Sequence, residues 1–489
     1  MPRAYGNGNG NGNGNGNGNG NGNGNGSAYG SAYGSGNGNG NGGSARNTDP
    51  RHPRACEDPT LVAAETWVPR LRGDDGNAAG ITAASSSGTA AFAGSPPYNA
   101  GMTPGLLCYC RAGFEPELAG ELTDRAAEAG LAGYARTERN VGYALFLTGD
   151  DGDDSGESGD ALARALPFAG LIFARQKLRL IAELRDLDPK DRIAPMLAAL
   201  SAFRTAFRRS DVSRDPGTDP SHAGSRLTSL LHTGRFGTLV VEHPDSDDAK
   251  PLAGLARSFG NALRPALRKA GLLAAQDDDR LPRLHVCFVA GDHAFLAVGD
   301  PRDSAPWPMG VPRLKMHADA PSRSALKLEE ALLTLLTADE RARLLREGMR
   351  AADLGAAPGG WTWVLTRHGI HVTAIDNGPL RPHVMETGLV QHLRADGFSW
   401  HPPKPLDWMV CDMVEQPSRV AARMAEWFRE GWCRHAVFNL KLPMKKRWHE
   451  TRLCLDRFAA QAGRPLTIRA KQLYHDREEI TVFATPAKA

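Results

Sequence analysis

The chain lacks any run that approaches eighteen apolar residues, the length a membrane-spanning helix needs. Its N-terminus also lacks the basic segment followed by an apolar segment that is typical of a secretory signal peptide. Its seven cysteines include no Cys-x-x-Cys pair, which argues against a zinc site and a disulfide framework. We therefore expect a cytoplasmic protein with reduced thiols, no membrane partner and no metal.

A strong excess of either charge is also absent. The formal net charge is +3 at pH 7, and the isoelectric point is about 8.4. So small an excess does not by itself indicate a polyanionic partner. The placement of the basic residues has to decide that question.

The first hundred residues are not typical of a folded domain. Residues 6–43 are a nearly pure Asn-Gly alternation interrupted by Ser-Ala-Tyr-Gly repeats, and the composition stays rich in Ala, Gly, Ser and Pro to about residue 104. Such a segment has too little apolar surface to offset the entropy cost of ordering it. Residues 1–104 are thus predicted to be disordered, and Met102 is a candidate start of the folded chain.

The remaining 385 positions of the 489-residue chain predict an α/β protein in several units. Strands and helices alternate as a small α+β unit over residues 105–181 and as a second unit over 182–300, with an insertion near 210–233. A proline-rich linker spans residues 301–321. From residue 322 to the end, regular alternation predicts a mostly parallel sheet with ligands at the carboxyl ends of its strands.

The most informative segment, residues 353–362, is Asp-Leu-Gly-Ala-Ala-Pro-Gly-Gly-Trp-Thr. Its context predicts a strand that turns through a glycine loop into a helix. Gly355, Gly359 and Gly360 remove side chains where a ligand must touch the backbone. The loop is Gly-x-x-Pro-Gly-Gly, unlike the Gly-x-Gly-x-x-Gly of dinucleotide sites, so it favours a methyl-donor site. An ordinary glycine turn is the alternative.

Three aspartates follow predicted strands of this sheet. Asp376 lies roughly twenty residues after the glycine loop, where a carboxylate accepts ribose hydroxyls. Asp396 suits an adenine amino group, although its Asp-Gly sequence is also a plain turn. Asp412 ends the predicted strand 408–411, where this topology places its chemistry.

Lys441 ends the predicted strand 436–440 and is the candidate base. A lysine with a pKa of about 10.4 is neutral in about one molecule in two thousand at pH 7, so its use costs about 4.6 kcal/mol. Lys327 and partial burial would lower its pKa, whereas Asp412 and Glu479 would orient it and raise its pKa. The sequence does not show whether the pKa of Lys441 is raised or lowered overall. Each residue alone is more often structural than catalytic, but together they predict one reactive cleft.

Two groups of basic residues are candidates for contact with RNA phosphate. The first is a predicted rim beside the cleft: Lys445, Lys446, Arg447, His475 and Arg477. The second is a row on one face of the predicted helix 252–270, if Pro265 only kinks it: Arg257, Arg264 and Arg268. A solvated surface is the alternative for both groups.

Several segments carry a resemblance. They are Pro-Ser-Arg-Ser-Ala-Leu-Lys-Leu-Glu-Glu at 321–330, the glycine loop, Val-Cys-Asp-Met-Val-Glu at 410–415, Phe-Asn-Leu-Lys-Leu-Pro-Met-Lys-Lys-Arg at 438–447, and Gln-Leu-Tyr-His-Asp-Arg-Glu-Glu at 472–479. Together they resemble the RlmM family of bacterial 23S rRNA 2'-O-ribose methyltransferases. The likeness covers about residues 106–486.

The resemblance implies a ferredoxin-like domain at 105–181, a THUMP-like RNA-binding domain at 182–300 and an FtsJ-like methyltransferase domain with a Rossmann-like class I sheet at 322–489. It implies S-adenosylmethionine as the methyl donor. The implied acceptor is one cytidine in the peptidyl-transferase region of 23S rRNA or its precursor. Because a target nucleotide must reach a closed cleft, we expect an unpaired or flipped cytidine and a substrate that precedes ribosome assembly. We also expect a monomer.

The resemblance further assigns residues by motif. The donor contacts fall on Ser324, Ala357, Pro358, Gly359, Gly360, Asp376, Asp396 and Asp412. Lys441 would be the proton acceptor. Related FtsJ-like enzymes use a Lys-Asp-Lys-Glu set, which would fall on Lys327, Asp412, Lys441 and Glu479, with Glu478 as the alternative for the last position.

Two other functions compete with this hypothesis. The first is an RNA base methyltransferase that uses S-adenosylmethionine. Transfer to an amino group would favour an Asn/Asp-Pro-Pro-aromatic loop where this chain has Cys-Asp-Met-Val at 411–414. Transfer to carbon 5 needs a positioned thiolate, and Cys411 is the nearby candidate, although it fits strand packing better. A non-catalytic RNA-binding assembly factor that keeps a donor pocket is the second. The presence of all four residues of the Lys-Asp-Lys-Glu set counts against this second function.

Overall fold

The computed structural model describes residues 102–148, 157–212 and 234–487. The predicted disordered head lies outside these residues except for 102–104, which belong to the first strand. Most of the predicted insertion at 210–233 also lies outside them. Within the described residues, no helix is long and apolar enough to cross a membrane.

The N-terminal half forms one seven-stranded sheet in the order β2-β3-β1-β4-β7-β6-β5. Neighbouring strands are antiparallel except for β5 and β6. The strands are β1 Met102–Tyr109, β2 Tyr134–Arg136, β3 Tyr143–Leu147, β4 Gln176–Leu184, β5 Thr238–Glu242, β6 Arg283–Phe288 and β7 Ala294–Gly299. The helices are α1 Glu115–Glu128, α2 Glu157–Ala165, α3 Ile193–Val212 and α4 Ala253–Lys269.

The sheet crosses the boundary expected between residues 181 and 182. That boundary falls inside β4, which pairs with β1 on one side and with β7 on the other. The sequence reasoning did not predict β7, because its short apolar run follows β6 after a brief turn. The two expected N-terminal units therefore share a sheet.

The C-terminal half forms a second seven-stranded sheet in the order β10-β9-β8-β11-β12-β14-β13. β8 to β12 are parallel, and β14 runs antiparallel to β12 and β13. The strands are β8 Arg350–Leu354, β9 His371–Ile375, β10 Val390–Leu393, β11 Leu406–Cys411, β12 Cys433–Lys441, β13 Leu466–Lys471 and β14 Glu479–Pro486. The helices are α5 Ala325–Leu335, α6 Ala338–Leu344, α7 Gly360–Thr366, α8 Pro382–Met385, α9 Pro417–Arg429 and α10 Arg447–Gln461. This arrangement confirms the predicted α/β fold with a mostly parallel sheet.

Local sequence explains how these elements form. β11 is buried along nearly all its length, as expected for an apolar central strand with helices on both faces. α9 begins with Pro417 in its first turn and buries Met424, Trp427 and Phe428 on one face. These elements fix the carboxyl ends of the parallel strands at one edge of the sheet.

The two halves pack against each other. The Trp448 indole donates a hydrogen bond to Asp124 at 2.8 Å, and its ring packs edge-on against Phe173. The expected linker at 301–321 is also packed: Gly310, with φ +68°, lies so near the Arg175 carbonyl that a Cβ would come within 2.0 Å of that oxygen. A side chain at that glycine would force the segment away from the sheet.

Candidate active site

The glycine loop follows β8 and leads into α7, as predicted. Gly355 and Gly359 have φ of +79° and +108°, which favours glycine at both positions. A Cβ on Gly360 would lie 2.2 Å from the Ser324 hydroxyl, so this glycine lets α7 approach the start of α5. Behind the loop, burial raises the pKa of Asp353 to about 7 even though the Thr362 hydroxyl donates to it at 2.6 Å.

Asp376 fixes the conformation of this loop. Its two carboxylate oxygens accept the backbone N–H of Ala357 at 2.9 Å and of Gly378 at 2.7 Å. Each oxygen keeps a further lone pair, so the group can still accept a ligand hydroxyl. The predicted ribose carboxylate therefore lies beside the predicted donor loop.

Ser324 lies beside the loop, and Asp396 lies in the turn after β10. Ser324 caps α5 by position, but its hydroxyl pairs with that of Ser322 at 2.7 Å instead of capping the helix. Asp396 is exposed and accepts the N–H of Phe398 at 3.0 Å, which confirms that it begins a turn. A Cβ on Gly397 would lie 2.9 Å from the Met413 sulfur, so this turn reaches the end of β11.

Four residues form a closed ring of ion pairs, which we call the ion-pair ring: Lys327 on α5, Asp412 directly after β11, Lys441 on β12 and Glu479 on β14. The Lys441 ammonium donates to Asp412 at 2.6 Å and to Glu479. The Lys327 ammonium lies 2.5 Å from the other oxygen of Glu479 and 3.3 Å from Asp412. Side-chain exposures run from 5% for Glu479 to 24% for Lys441, so the lysine is the most accessible member.

The charges of the ion-pair ring decide whether the pKa of Lys441 is raised or lowered, which the sequence left open. Burial lowers the pKa of Lys441, but contact with Asp412 and Glu479 outweighs burial and raises it above the ordinary value. Burial alone would raise the pKa of Asp412, but Lys441 and Lys327 hold it below its usual range. Both groups are therefore charged at neutral pH in this arrangement.

Glu478 does not enter the ion-pair ring. Its carboxylate lies 2.8 Å from the Arg447 guanidinium and its side chain is 45% exposed. β14 starts at Glu479, whose backbone pairs with Lys441 across the antiparallel ladder. Of the two alternatives, the geometry brings Glu479 to Lys441.

Asn439 is a site residue that the sequence reasoning missed. It is fully buried, and its amide donates to Asp412 at 2.9 Å, next to the contact from Lys441. The signal was a polar residue two positions before Lys441 inside an apolar strand. A buried amide in such a place needs hydrogen-bond partners, and here one of them is the ion-pair ring.

The structure keeps only part of the predicted basic rim. Lys445, Lys446 and Arg477 are exposed. Arg447 instead contacts the N-terminal half, with its guanidinium over the Phe114 ring, and His475 pairs with Glu330 at 2.7 Å. The prediction was wrong for these two side chains because sequence spacing shows neither that Arg447 faces the N-terminal half nor that α5 brings Glu330 to His475.

The arginine row on α4 is partly neutralised. Arg264 and Arg268 both pair with Asp277, at 3.1 and 3.5 Å, while Arg257 is exposed. Pro265 lies within the helix without ending it. The row is therefore a weaker phosphate-binding surface than its sequence suggests.

Exposed apolar side chains follow two members of the ion-pair ring along the chain. Val414, two residues after Asp412, is 90% exposed, and Met444, three residues after Lys441, is 75% exposed. Exposed apolar groups beside a reactive site are candidates for substrate contact. Among the described residues, no group of three or more His, Cys, Asp or Glu side chains is arranged to hold a metal ion.

Comparisons with known proteins match three parts of the chain to family models. The model for the RlmM ferredoxin-like domain matches residues 102–178, the model for the N-terminal part of ribosomal RNA large subunit methyltransferase M matches 225–300, and the FtsJ-like methyltransferase model matches 320–430. Ribosomal RNA large subunit methyltransferase M of Stenotrophomonas maltophilia strain R551-3 is 65% identical over 384 residues, covering 78% of this chain and 98% of the relative. The protein of the same name from Xanthomonas campestris pv. campestris strain B100 is 66% identical over 380 residues, covering 78% and 99%.

Solved structures are more distant. TrmN from Thermus thermophilus is 16% identical, covers 78% of this chain and 99% of its own, and has a TM-score of 0.29. The Methanococcus jannaschii fibrillarin pre-rRNA processing protein is 12% identical, covers 44% and 87%, and has a TM-score of 0.27. Similarity this low adds nothing to the assignment. The curated relatives and the family models confirm the predicted resemblance, the class of enzyme and S-adenosylmethionine as its cofactor. The chain therefore belongs to the ribosomal RNA large subunit methyltransferase M family.

Proposed function

We propose that the chain methylates the ribose 2'-hydroxyl of one cytidine in the peptidyl-transferase region of 23S rRNA. It acts as a cytoplasmic monomer on free or precursor rRNA, before ribosome assembly is complete. The ferredoxin-like region 105–181 and the THUMP-like region 182–300 grip the RNA, and region 322–489 carries the reaction. The observation that carries the proposal is the ion-pair ring at the strand ends beside the glycine loop.

The residues at the strand ends fit the methyl donor. The candidate donor contacts lie at the carboxyl ends of the parallel strands. They are the backbone groups of Ala357, Pro358, Gly359 and Gly360 and the carboxylates of Asp376, Asp396 and Asp412, with the Ser324 hydroxyl beside the loop. Carboxylates and backbone groups suit the ribose, the adenine and the positive charge of this ligand. When bound, S-adenosylmethionine supplies an electrophilic methyl group on a positively charged sulfur.

Lys441 accepts the proton of the ribose hydroxyl. Transfer of the methyl group to this oxygen would break the carbon–sulfur bond of the donor, whose electron pair stays on sulfur, and the O–H proton would move to the neutral Lys441 amine. Because Asp412 and Glu479 stabilise the resulting ammonium, the raised pKa makes the neutral amine rare but strongly basic. Asp412, Glu479 and Lys327 hold the amine in position throughout.

The surface around the ion-pair ring suits an unpaired nucleotide. Exposed Lys445 and Lys446 follow Lys441 and offer charge to RNA phosphate. Val414 and Met444 offer apolar contact to a base that has lost its stacking neighbours. RNA with a splayed cytidine is therefore a better substrate than an intact duplex.

Base methylation through a thiolate is less well supported. Cys411 is fully buried, and burial raises the pKa of its thiol to about 12. A thiol with so high a pKa is a poor nucleophile at neutral pH. The ion-pair ring likewise counts against a protein that only binds RNA, because burying four charges is costly without a function for them.

The test is transfer of a labelled methyl group to free 23S rRNA, followed by digestion to nucleosides. We expect the label in 2'-O-methylcytidine, with one methyl group per rRNA molecule. Label in a methylated base would support the first alternative. RNA binding without any label transfer would support the second.

A further inference from the structure

Arg175 lies where three parts of the molecule meet. It immediately precedes β4, and its side chain is 4% exposed. Its guanidinium pairs with Asp245 after β5 at 3.3 Å, and it donates to the Gln472 side chain and the Leu473 carbonyl, both at 3.2 Å. One side chain of the N-terminal sheet thus holds both a loop of that half and a loop of the methyltransferase half.

The methyltransferase loop in question, residues 472–478, leads directly into Glu479 of the ion-pair ring. Arg111 of the N-terminal half donates to its Asp476 carbonyl at 2.9 Å. From the other side, the Glu330 carboxylate accepts the backbone N–H groups of Tyr474 and His475 at 2.8 and 2.9 Å. The loop is therefore held between the N-terminal half and α5, the helix that also carries Lys327.

A buried hydrogen-bond chain continues from this loop to Asp412. The Asp476 carboxylate accepts the Leu473 N–H at 3.0 Å and lies 3.0 Å from the Thr481 hydroxyl. That hydroxyl donates to the Asn439 side-chain oxygen at 2.7 Å, and the Asn439 amide donates to Asp412 at 2.9 Å. Asp476, Thr481 and Asn439 are all 0% exposed, so water does not compete for these bonds.

Thr481 links the two ends of this chain. Its hydroxyl lies 3.0 Å from the Asp476 carboxyl group and 2.7 Å from the Asn439 side-chain oxygen, so it contacts both groups. Burial, with Glu479 beside it, holds the pKa of Asp476 well above its usual range. Asn439 completes the chain because its amide donates to Asp412.

We propose that Arg175 is a positioning residue through which the N-terminal half sets the positions of Asp412 and Glu479 in the ion-pair ring. The inference rests on the proposed function, because the ring must act in methyl transfer for its position to affect the rate. A shift of about 1 Å in a reacting group can cost about a hundredfold in rate. Loosening the 472–478 loop therefore lowers the rate of transfer without removing any group that touches RNA or donor.

The test compares Arg175→Lys, Thr481→Val and the double variant with wild type. Arg179→Lys is the matched control, because Arg179 lies on β4, is also 4% exposed and pairs with Asp160 inside the N-terminal half. We expect Arg175→Lys and Thr481→Val each to lower kcat about 10- to 100-fold, with KM for RNA and Kd for donor changed less than about twofold. If the two residues act through one chain, the double variant loses no more than the worse single variant.

Losses that multiply in the double variant, or an equal kcat loss for Arg179→Lys, would overturn the inference. A second readout needs no activity: the ¹⁵N resonance of the Asn439 side-chain amide, measured without RNA or donor. We expect Arg175→Lys to shift it and Arg179→Lys to leave it unchanged. An unshifted resonance in Arg175→Lys also overturns the inference. If wild type transfers no methyl group, the proposed function fails. The Asn439 resonance then still shows whether a change at Arg175 alters the surroundings of the ion-pair ring.

Discussion

Two lysines in different regions of the molecule have opposite environments. Lys441, in the ion-pair ring, contacts two carboxylates, and its pKa is raised. Lys471, where β13 meets the N-terminal half, is 5% exposed and donates to the carbonyls of Phe168 and Ala174 at 2.8 and 3.1 Å. Burial lowers the pKa of Lys471 to about 7, although Glu121 nearby opposes that change.

The difference shows that a pKa near neutrality does not identify a catalytic base. Lys471 has a pKa suited to a base, but it is enclosed by backbone between two domains and has no access to substrate. Lys441 is usually charged, but it is the most exposed member of a ring beside the donor loop. Geometry and access, more than the pKa, therefore support Lys441 as the proposed base.

The strongest test of this comparison is Lys441→Ala. Because this change removes the proposed proton acceptor, we expect kcat to fall about a thousandfold or more. The measurement is labelled-methyl transfer to free 23S rRNA, with donor binding followed by calorimetry. Transfer at the wild-type rate with normal donor binding would falsify the base assignment.

The next largest effect is expected for Glu479→Gln. Loss of this carboxylate leaves two ammonium groups facing one carboxylate, so kcat should fall about 10- to 100-fold. The pKa of Lys441 should also fall, which moves the rising limb of the pH–rate profile to lower pH. Glu478→Gln is the matched control, since Glu478 pairs with Arg447 outside the ring. A larger effect at Glu478 would reverse the choice between the two glutamates.

The pH dependence of the methyl-transfer rate of the wild-type enzyme tests the raised pKa of Lys441. A base whose pKa lies above the ordinary lysine value is mostly protonated from pH 7 to pH 9. The neutral fraction then grows about tenfold per pH unit, and single-turnover methyl transfer should rise accordingly. The measurement uses a saturating RNA fragment at constant ionic strength. A plateau that begins below pH 8 would contradict a raised pKa in the reacting complex.

Much of the C-terminal half could be predicted from sequence, because strand periodicity and the glycine loop are local signals. β8 and β9 begin and end where expected, and Asp376 lies beside the loop. The environment of Lys441 could not be predicted, because its pKa depends on side chains that only the fold brings together. The single N-terminal sheet and the interdomain role of Arg447 were missed for the same reason: strand partners and domain contacts have no local pattern.

The smallest effect concerns Lys471→Met and appears in stability. The pKa of Lys471 is about 7 in the folded protein and about 10.4 in the unfolded chain, so between these values the unfolded chain binds more protons. The free energy of unfolding of wild type should therefore gain up to about 1.4 kcal/mol per pH unit from this group as the pH rises from 7 to 9. Methionine cannot titrate, so the variant should lack that gain. Urea unfolding at pH 7, 8 and 9 measures it, with Lys404→Met at an exposed position as the control. Equal pH dependence in wild type and Lys471→Met would mean that Lys471 stays charged between the domains, and the contrast with Lys441 would disappear.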